Sequence, residues 1–566
     1  MTKLTVSRPR TARRWLRLSV RGLILIVLFI GGGLGWFEHR ARVQRDAVAV
    51  LESVNAQIDY DLDTYQEGVP INRCVKWLVE VFGIDRVATV DEVYGGPKFN
   101  DTAMAAVSRL VSLRKLSIVD CPVTDAGVAA GLGELRRLES LELYGDEGGP
   151  KLTRAIIPAM ANLGRLEELV LSNTTMKLDD SDLERISRLG RLRHVTLGGA
   201  GITDRGMAGL ARLTSLEELH IVDTAVTEVG LAQLARCKKL TRLDLEGSKA
   251  TTLEPLRDLP NLKILLVSNG PLTTLWTTPV TGLGRLETLH VVRTSLADAG
   301  LAHLDGLPGL KSLALDEATF TDAGMAHVGR CVALLKLTVS SVKITTLRPL
   351  RNLHRLEGLY LANTEITTLE PVRDMPRLEE LKAPYCPITV AWKTPPTGLN
   401  ALWLLDLSGA PIGGEGLARL DELPSVTYLY LSEAGVDDAG LTYVGAMKSL
   451  SYLDLESTPI TDASLAGLST LTKLSDLDLS HTAIGDAAVP HLLAISGSPE
   501  ITMMRTRLTD AGLLRLTAPG GFRGSLHLGG PSLTKEGVQA AQAANPGLKI
   551  TVQGGDEPPS AAGGDQ

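Results

Sequence analysis

With 566 residues, 44% of them apolar and only 4% aromatic, the chain must build its core from Leu, Val, Ile and Ala. The net charge of −7 is unevenly placed, because residues 1–45 hold ten Lys/Arg and one acid, Glu38, leaving about −16 on the remainder; an acidic body argues against a nucleic-acid partner, which needs a basic face. An odd cysteine count, five, excludes a complete disulfide framework.

Lys3, Arg8, Arg10, Arg13, Arg14, Arg17 and Arg21 occur with no acid among them. Gly22 to Phe37 is uncharged and mostly apolar. This order predicts a basic cytoplasmic segment (1–21) and a transmembrane anchor (22–37), with everything after Phe37 outside the cytoplasm. A cleaved signal peptide competes, although no small-x-small cleavage site stands out. Val43, Ala47, Val50 and Leu51 have helical spacing, so 38–68 reads as a juxtamembrane helix and a strand. Asp59, Asp61 and Asp63 suggest a calcium loop, but Thr64 and Pro70 stand where such a loop needs Gly and Glu. Val75, Leu78, Val79 and Phe82 then predict an amphipathic helix in an N-terminal cap, 69–110.

From residue 111 a phrase returns: L-x-x-L-x-L-x-x-T-x-I-T-D-A-G-L-x-x-L, as in "LTSLEELHIVDTAVTEVGLAQLAR" at 213–236. Its first Leu recurs mostly every 24 residues and sometimes every 22. That period and spacing are the leucine-rich-repeat signature. The fold expected is an α/β solenoid over 111–552, a horseshoe of about 18 repeats with a parallel concave sheet and short convex helices. The second and third Leu point into the core and the residues between them face the concave side. Thr and Asp of T-D-A-G read as helix N-caps. Thr174, Thr224, Thr294, Thr364, Thr458 and Thr482 fill the turn slot where Asn commonly links neighbouring repeats. Pro255 and Pro371, and Trp276 and Trp392, are each 116 residues apart, which points to duplication of a five-repeat block and to two Trp-bearing convex insertions. Cys121, Cys237, Cys331 and Cys386 fall in the repeats and read as small core residues; "GGDEPPSAAGGDQ" (553–566) reads as a disordered tail.

The basic-plus-apolar start, "QRDAVAVLESVNAQIDYD", "WLVEVFGIDRVATV" and the T-D-A-G-L repeats together resemble the bacterial single-pass membrane leucine-rich-repeat proteins. The resemblance implies an extracytoplasmic recognition or structural role and supplies no catalytic residues. No motif for catalysis, cofactor or metal binding occurs, so no enzyme activity is expected; His194, His220 and Asp244 have zinc-ligand types but unaligned slots. The concave register instead brings forward Tyr360, Lys382, Trp403, Tyr428, Tyr430 and Tyr452, with the acids Asp406, Asp454, Glu456, Asp476 and Asp478. Asp454 and Asp478 share one slot in adjacent repeats, so one protonates more readily or a cation or basic partner lies there. The function expected is recognition of a protein, peptide or glycan along this strip. A structural envelope scaffold without a ligand and a substrate adaptor of the F-box type are the alternatives.

Overall fold

The computed structural model describes residues 20–61, 73–145, 152–173 and 176–552. The expected tail at 553–566, most of the basic segment, Asp63, Thr64, Pro70 and Thr174 lie outside the described residues. Two units are present, residues 1–177 and 178–566.

In the first unit, helix α1 runs Val20–Ser53. Ala41, Gln44, Ala47, Val48 and Leu51 are buried at helical spacing, and this half packs on the helix Asp101–Val107. Gln44 pairs with the backbone of residues 88–90: its Nε2 donates to the Ala88 carbonyl (3.0 Å), and Val90 N–H donates to its Oε1 (3.3 Å). Before this packed half, residues 31–39 are exposed, with Leu34 61% and Trp36 63%, as is Phe29, 85%. Among the described residues no helix is long and apolar enough to cross a membrane. The uncharged stretch 22–37 reaches only about 24 Å at 1.5 Å per residue; Gly31, Gly32, Gly33 and Gly35 dilute its apolar content.

Strand β1 (Gln57–Tyr60) runs antiparallel to β2 (Val90–Gly95). From β2 onward the rungs are parallel: β3 (Lys115–Val119), β4 (Ser140–Gly145) and β5 (Glu168–Asn173). The ladder therefore starts inside the segment expected to be only a cap. In helix α2 (Arg73–Phe82), Trp77, Val81 and Phe82 are exposed. Helix α1 and strand β1 also pack against the start of the ladder. Amphipathic spacing marks both helices, but α1 brings the small residues Ala41 and Ala47 and the amide of Gln44.

The second unit carries sixteen strands among the described residues, from His194–Gly198 to Lys549–Val552, each paired in parallel with the next. Leu219, Leu243, Leu265 and their equivalents are buried, and the residues between core positions alternate outward, as expected. Cys121, Cys237, Cys331 and Cys386 are free and buried; burial pushes the Cys237 thiol up to about 11. Trp276 and Trp392 are buried as well, so both insertions pack inward. The 116-residue relation extends to contacts: Arg257 Nη1 donates to Glu254 Oε1 (2.7 Å), as Arg373 Nη1 does to Glu370 Oε1 (2.6 Å).

The T-D-A-G phrase has a fuller explanation than capping. Thr227 caps its helix, its hydroxyl accepting from Val229 N–H. Asp204, one repeat earlier, accepts from Thr227 N–H (2.8 Å), the Thr227 hydroxyl (2.7 Å) and Gly230 N–H (2.9 Å). The same stitch joins Asp101 to Thr124, Asp298 to Thr321, Asp438 to Thr461 and Asp510 to Thr534. Gly is required because a Cβ at Gly230 would lie 2.5 Å from Asp204 Oδ1, and one at Gly324 2.8 Å from Asp298 Oδ1. Gly230→Ala should therefore destabilise by about 2 kcal/mol, in the range of overpacked cores, read as a lowered urea midpoint at unchanged m-value.

Among the turn threonines, Thr364 reaches the neighbouring repeat, its hydroxyl lying 3.2 Å from Cys386 Sγ. Thr364, Thr458 and Thr482 donate to carbonyls three residues back in their own turns (3.1, 2.6 and 2.6 Å), and the Thr224 and Thr294 hydroxyls have no hydrogen-bond partner. The backbone also links neighbouring repeats there. The residue before the slot adopts positive φ, as at Asn363 (53°) and Ser457 (57°), and its N–H reaches Pro384 O (3.1 Å) or Ser480 O (2.8 Å) in the next repeat.

Candidate functional site

The strands Leu404–Asp406, Tyr428–Tyr430, Tyr452–Asp454 and Asp476–Asp478 are three-residue rungs centred on the buried Leu405, Leu429, Leu453 and Leu477. Their alternation creates two concave columns. One aligns Leu404, Tyr428, Tyr452 and Asp476; the other aligns Lys382, Asp406, Tyr430, Asp454 and Asp478.

The aromatic side chains form a continuous ladder. Trp403, just before its strand, meets Tyr428 edge-to-face with centroids 5.5 Å apart. Tyr428 stacks on Tyr452 at 5.8 Å, and Tyr452 meets Tyr430 at 4.9 Å. These separations suit favourable ring pairs. Burial first, then neighbouring carboxylates led by Asp454, pushes the Tyr452 phenol up to about 12, so it stays a donor.

The acids run along the second column. Asp406, Asp454 and Asp478 each accept from the backbone N–H two residues on, at Ser408 (3.0 Å), Glu456 (2.9 Å) and Ser480 (2.8 Å), which fixes their carboxylates. Oxygens of Asp454, Glu456 and Asp478 lie within 4.8 Å of one another. Burial, followed by repulsion from Asp478, Glu456 and Asp406, pushes Asp454 up to about 6 against the pull of the Glu456 N–H. Three carboxylates fall short of the six to eight oxygens that calcium takes. With tyrosine faces beside them, an ammonium or guanidinium group is the better fit. Asp476, in the first column, accepts from the Ser475 hydroxyl (2.6 Å).

Tyr360 stands apart from the ladder, three rungs from Tyr428. Its hydroxyl donates to Glu380 (2.7 Å), and the ammonium groups of Lys336 and Lys382 lie 4.7 and 5.5 Å from its ring centroid. The ring folds back over Gly358, where a Cβ would meet Tyr360 Cε2 at 2.9 Å. Lys336 and Gly358 went unnoticed at the level of sequence, although both occupy the slot before the core Leu of their strands. The strip is thus cationic at Lys336 and Lys382 and anionic from Asp406 to Asp478.

His220 lies 3.6 Å from Asp244 Oδ2 and 4.0 Å from Glu246 Oε2. His194 occupies the other column, in register with Glu218, so the three suspected zinc ligands do not converge.

These rungs and columns define a leucine-rich-repeat solenoid. Residues 470–489 match the Leucine Rich repeat family. No curated protein matches the chain. Among solved structures, TLR13 in a complex with ssRNA13 is similar, at 17% identity over 75% of this chain and 79% of that one, with a TM-score of 0.50. An internalin of Listeria monocytogenes is similar at 16% identity, 71% and 92% coverage and a TM-score of 0.39. A leucine-rich-repeat protein of Leptospira interrogans gives 18%, 66% and 95%, and 0.44. Likeness at these identities speaks for the fold alone.

Proposed function

We propose that this protein is a membrane-attached recognition module whose concave strip, from Tyr360 to Asp478, binds a protein or peptide segment outside the cytoplasm. The observation that carries the reading is the Trp403–Tyr428–Tyr452–Tyr430 ladder bordered by Asp406, Asp454 and Asp478. Tyr and Trp anchor interfaces at low entropic cost, and in a chain with 4% aromatic residues four rings joined on one strip are a concentrated resource. The acids select a basic partner and repel nucleic-acid phosphate. The Lys382 and Asp454 rungs are three spacings apart, about 14 Å at 4.8 Å each. An extended segment covers that in about four residues, so the partner carries an acidic and a basic side chain about that far apart.

Attachment is assigned to residues 22–37, with the N-terminus cytoplasmic, as in the bacterial single-pass proteins the sequence resembles. The uncovered Phe29, Leu34 and Trp36 support it, and local bilayer thinning accommodates a short apolar stretch. A topology reporter fused after Gln566 tests the compartment; a cytoplasmic signal refutes it.

Selection of displayed random peptides on the full-length protein tests the recognition. Enriched peptides should carry Lys or Arg and lose binding to an Asp406→Asn/Asp454→Asn/Asp478→Asn variant; enrichment that survives this variant removes the strip from consideration. Affinity should also depend on pH. Asp454 is pushed up to about 6, so a cationic partner favours its ionised form and affinity rises as pH climbs through that value. Between pH 5 and 7 the ionised fraction grows about tenfold. Affinity should follow that rise in the wild type and respond less in Asp454→Asn.

A further inference from the structure

We infer that the root of helix α1 holds a second binding site, specific for the phosphate headgroup of an anionic phospholipid. A cavity of about 350 Å³ opens there between α1 and the first rungs, and Arg40, Arg109, Arg137 and His39 line it together with Trp36 and Val111. No carboxylate lines it, and neither Arg109 nor Arg137 makes an ion pair among the described residues. Both are exposed. Three arginines lining one cavity without an acid leave their positive charge unbalanced, which favours entry of an anion; the planar donor forks of Arg match phosphate oxygens.

Position decides the source of the phosphate. Trp36 and Val111, at the lip, are 63% and 57% exposed, Phe37 beside Trp36 is exposed too, and Leu34 and Phe29 are exposed earlier along α1. Trp favours the boundary between hydrocarbon and headgroups. Arg40 follows Trp36 by one helical turn, with its guanidinium 5.9 Å from the Trp36 ring, so it stands about 6 Å further along the axis. A bilayer that takes up Phe29, Leu34 and Trp36 therefore presents its phosphates at the level of Arg40, Arg109 and Arg137. A free anion would gain nothing from the Trp36 and Val111 lip, whereas a lipid covers it with its glycerol and upper acyl carbons. The site is separate from the concave strip and rests on the membrane attachment proposed above.

The test uses the full-length chain and two readouts. Flotation with vesicles of phosphatidylcholine alone, or mixed with phosphatidylglycerol, measures attachment. Native mass spectrometry from detergent, with the two lipids offered in equal amounts, measures the headgroup preference. The expected result is flotation with both vesicle types and about tenfold preferential retention of phosphatidylglycerol. Arg109→Gln/Arg137→Gln should abolish that preference while still floating on phosphatidylcholine. A wild type that floats yet retains the two lipids equally overturns the headgroup site and leaves the attachment standing; one that does not float overturns the attachment as well. Displacement of the retained lipid by millimolar inorganic phosphate overturns the lipid assignment in favour of a small-anion site. A double variant that keeps the wild-type preference overturns the role of these arginines, and Arg40→Gln, tested beside it, must then also be without effect for the cavity to be dismissed.

Discussion

Asp298→Ala is expected to lower the unfolding free energy of the second unit by about 3 kcal/mol, and Asp298→Asn by about half as much. The carboxylate accepts from Thr321 N–H (2.6 Å), the Thr321 hydroxyl (2.9 Å) and Gly324 N–H (2.8 Å) of the following repeat. A hydrogen bond to a charged group contributes about 1.5–3 kcal/mol, and removing the acceptor strands donors at the start of the next helix. Asn keeps one acceptor oxygen and loses the charge. In a stack where each repeat touches mainly its neighbours, the damage should concentrate at one interface, so amide exchange at Thr321 and Gly324 should accelerate more than at Thr227. Uniform acceleration across the unit would refute the stitch as a local device. The pH dependence has a definite sign. Burial raises the Asp298 pKa, but the Thr321 and Gly324 donors outweigh it and hold the carboxyl below its usual range. A depressed folded pKa contributes stability that is fully present above the unfolded value, near 4, and is lost as pH falls below it. The Thr461 donors depress Asp438 and the Thr534 donors depress Asp510 in the same direction. Acid unfolding should therefore steepen below about pH 4 in the wild type and less so in Asp298→Asn.

The stitch also shows where the sequence stops being readable. The repeat period locates every rung of the second unit, and with the alternation of side chains it assigns Asp406, Tyr430, Asp454 and Asp478 to one column. Both are local properties of a strand. The Asp–Thr contact spans 23 residues. T-D-A-G shows that both residues recur, yet within one copy Thr and Asp compete for the same capping role, and only the stacking of copies assigns Thr to its own helix and Asp to the next. The Tyr360 cluster fails to be legible for a similar reason. Register names the column of each side chain, but the ring folds over Gly358 because that neighbour lacks a side chain, and Lys336 and Lys382 then reach it from the rungs on either side. At the start of the chain, spacing marks α1 as a helix, but the Gln44 amide that meets the Ala88 carbonyl and the Val90 N–H becomes visible only once the chain has folded.

The largest effect on recognition should come from Tyr430→Ala/Tyr452→Ala. Any peptide enriched on the full-length protein should bind this variant at least thirtyfold more weakly, because central aromatic anchors commonly contribute 2 kcal/mol or more each. The single variants should not add, since the two rings touch at 4.9 Å and Tyr452 also stacks on Tyr428; removing either loosens its neighbour. The cost to folding should be small by comparison, because both side chains lie over the sheet and Leu429 and Leu453 beneath them stay buried, so an unchanged urea midpoint separates lost recognition from lost structure. Thr196→Ala serves as the control: it occupies the same column, in a rung in register with His220 and far from the ladder, and should leave binding intact. Equal binding by wild type, control and double variant would favour a scaffold whose concave face is only a covered sheet. A loss in the double variant alone, partly recovered by Tyr430→Phe/Tyr452→Phe, would place the affinity in the ring faces and the remainder in the phenol hydroxyls, which the raised Tyr452 pKa keeps protonated as donors.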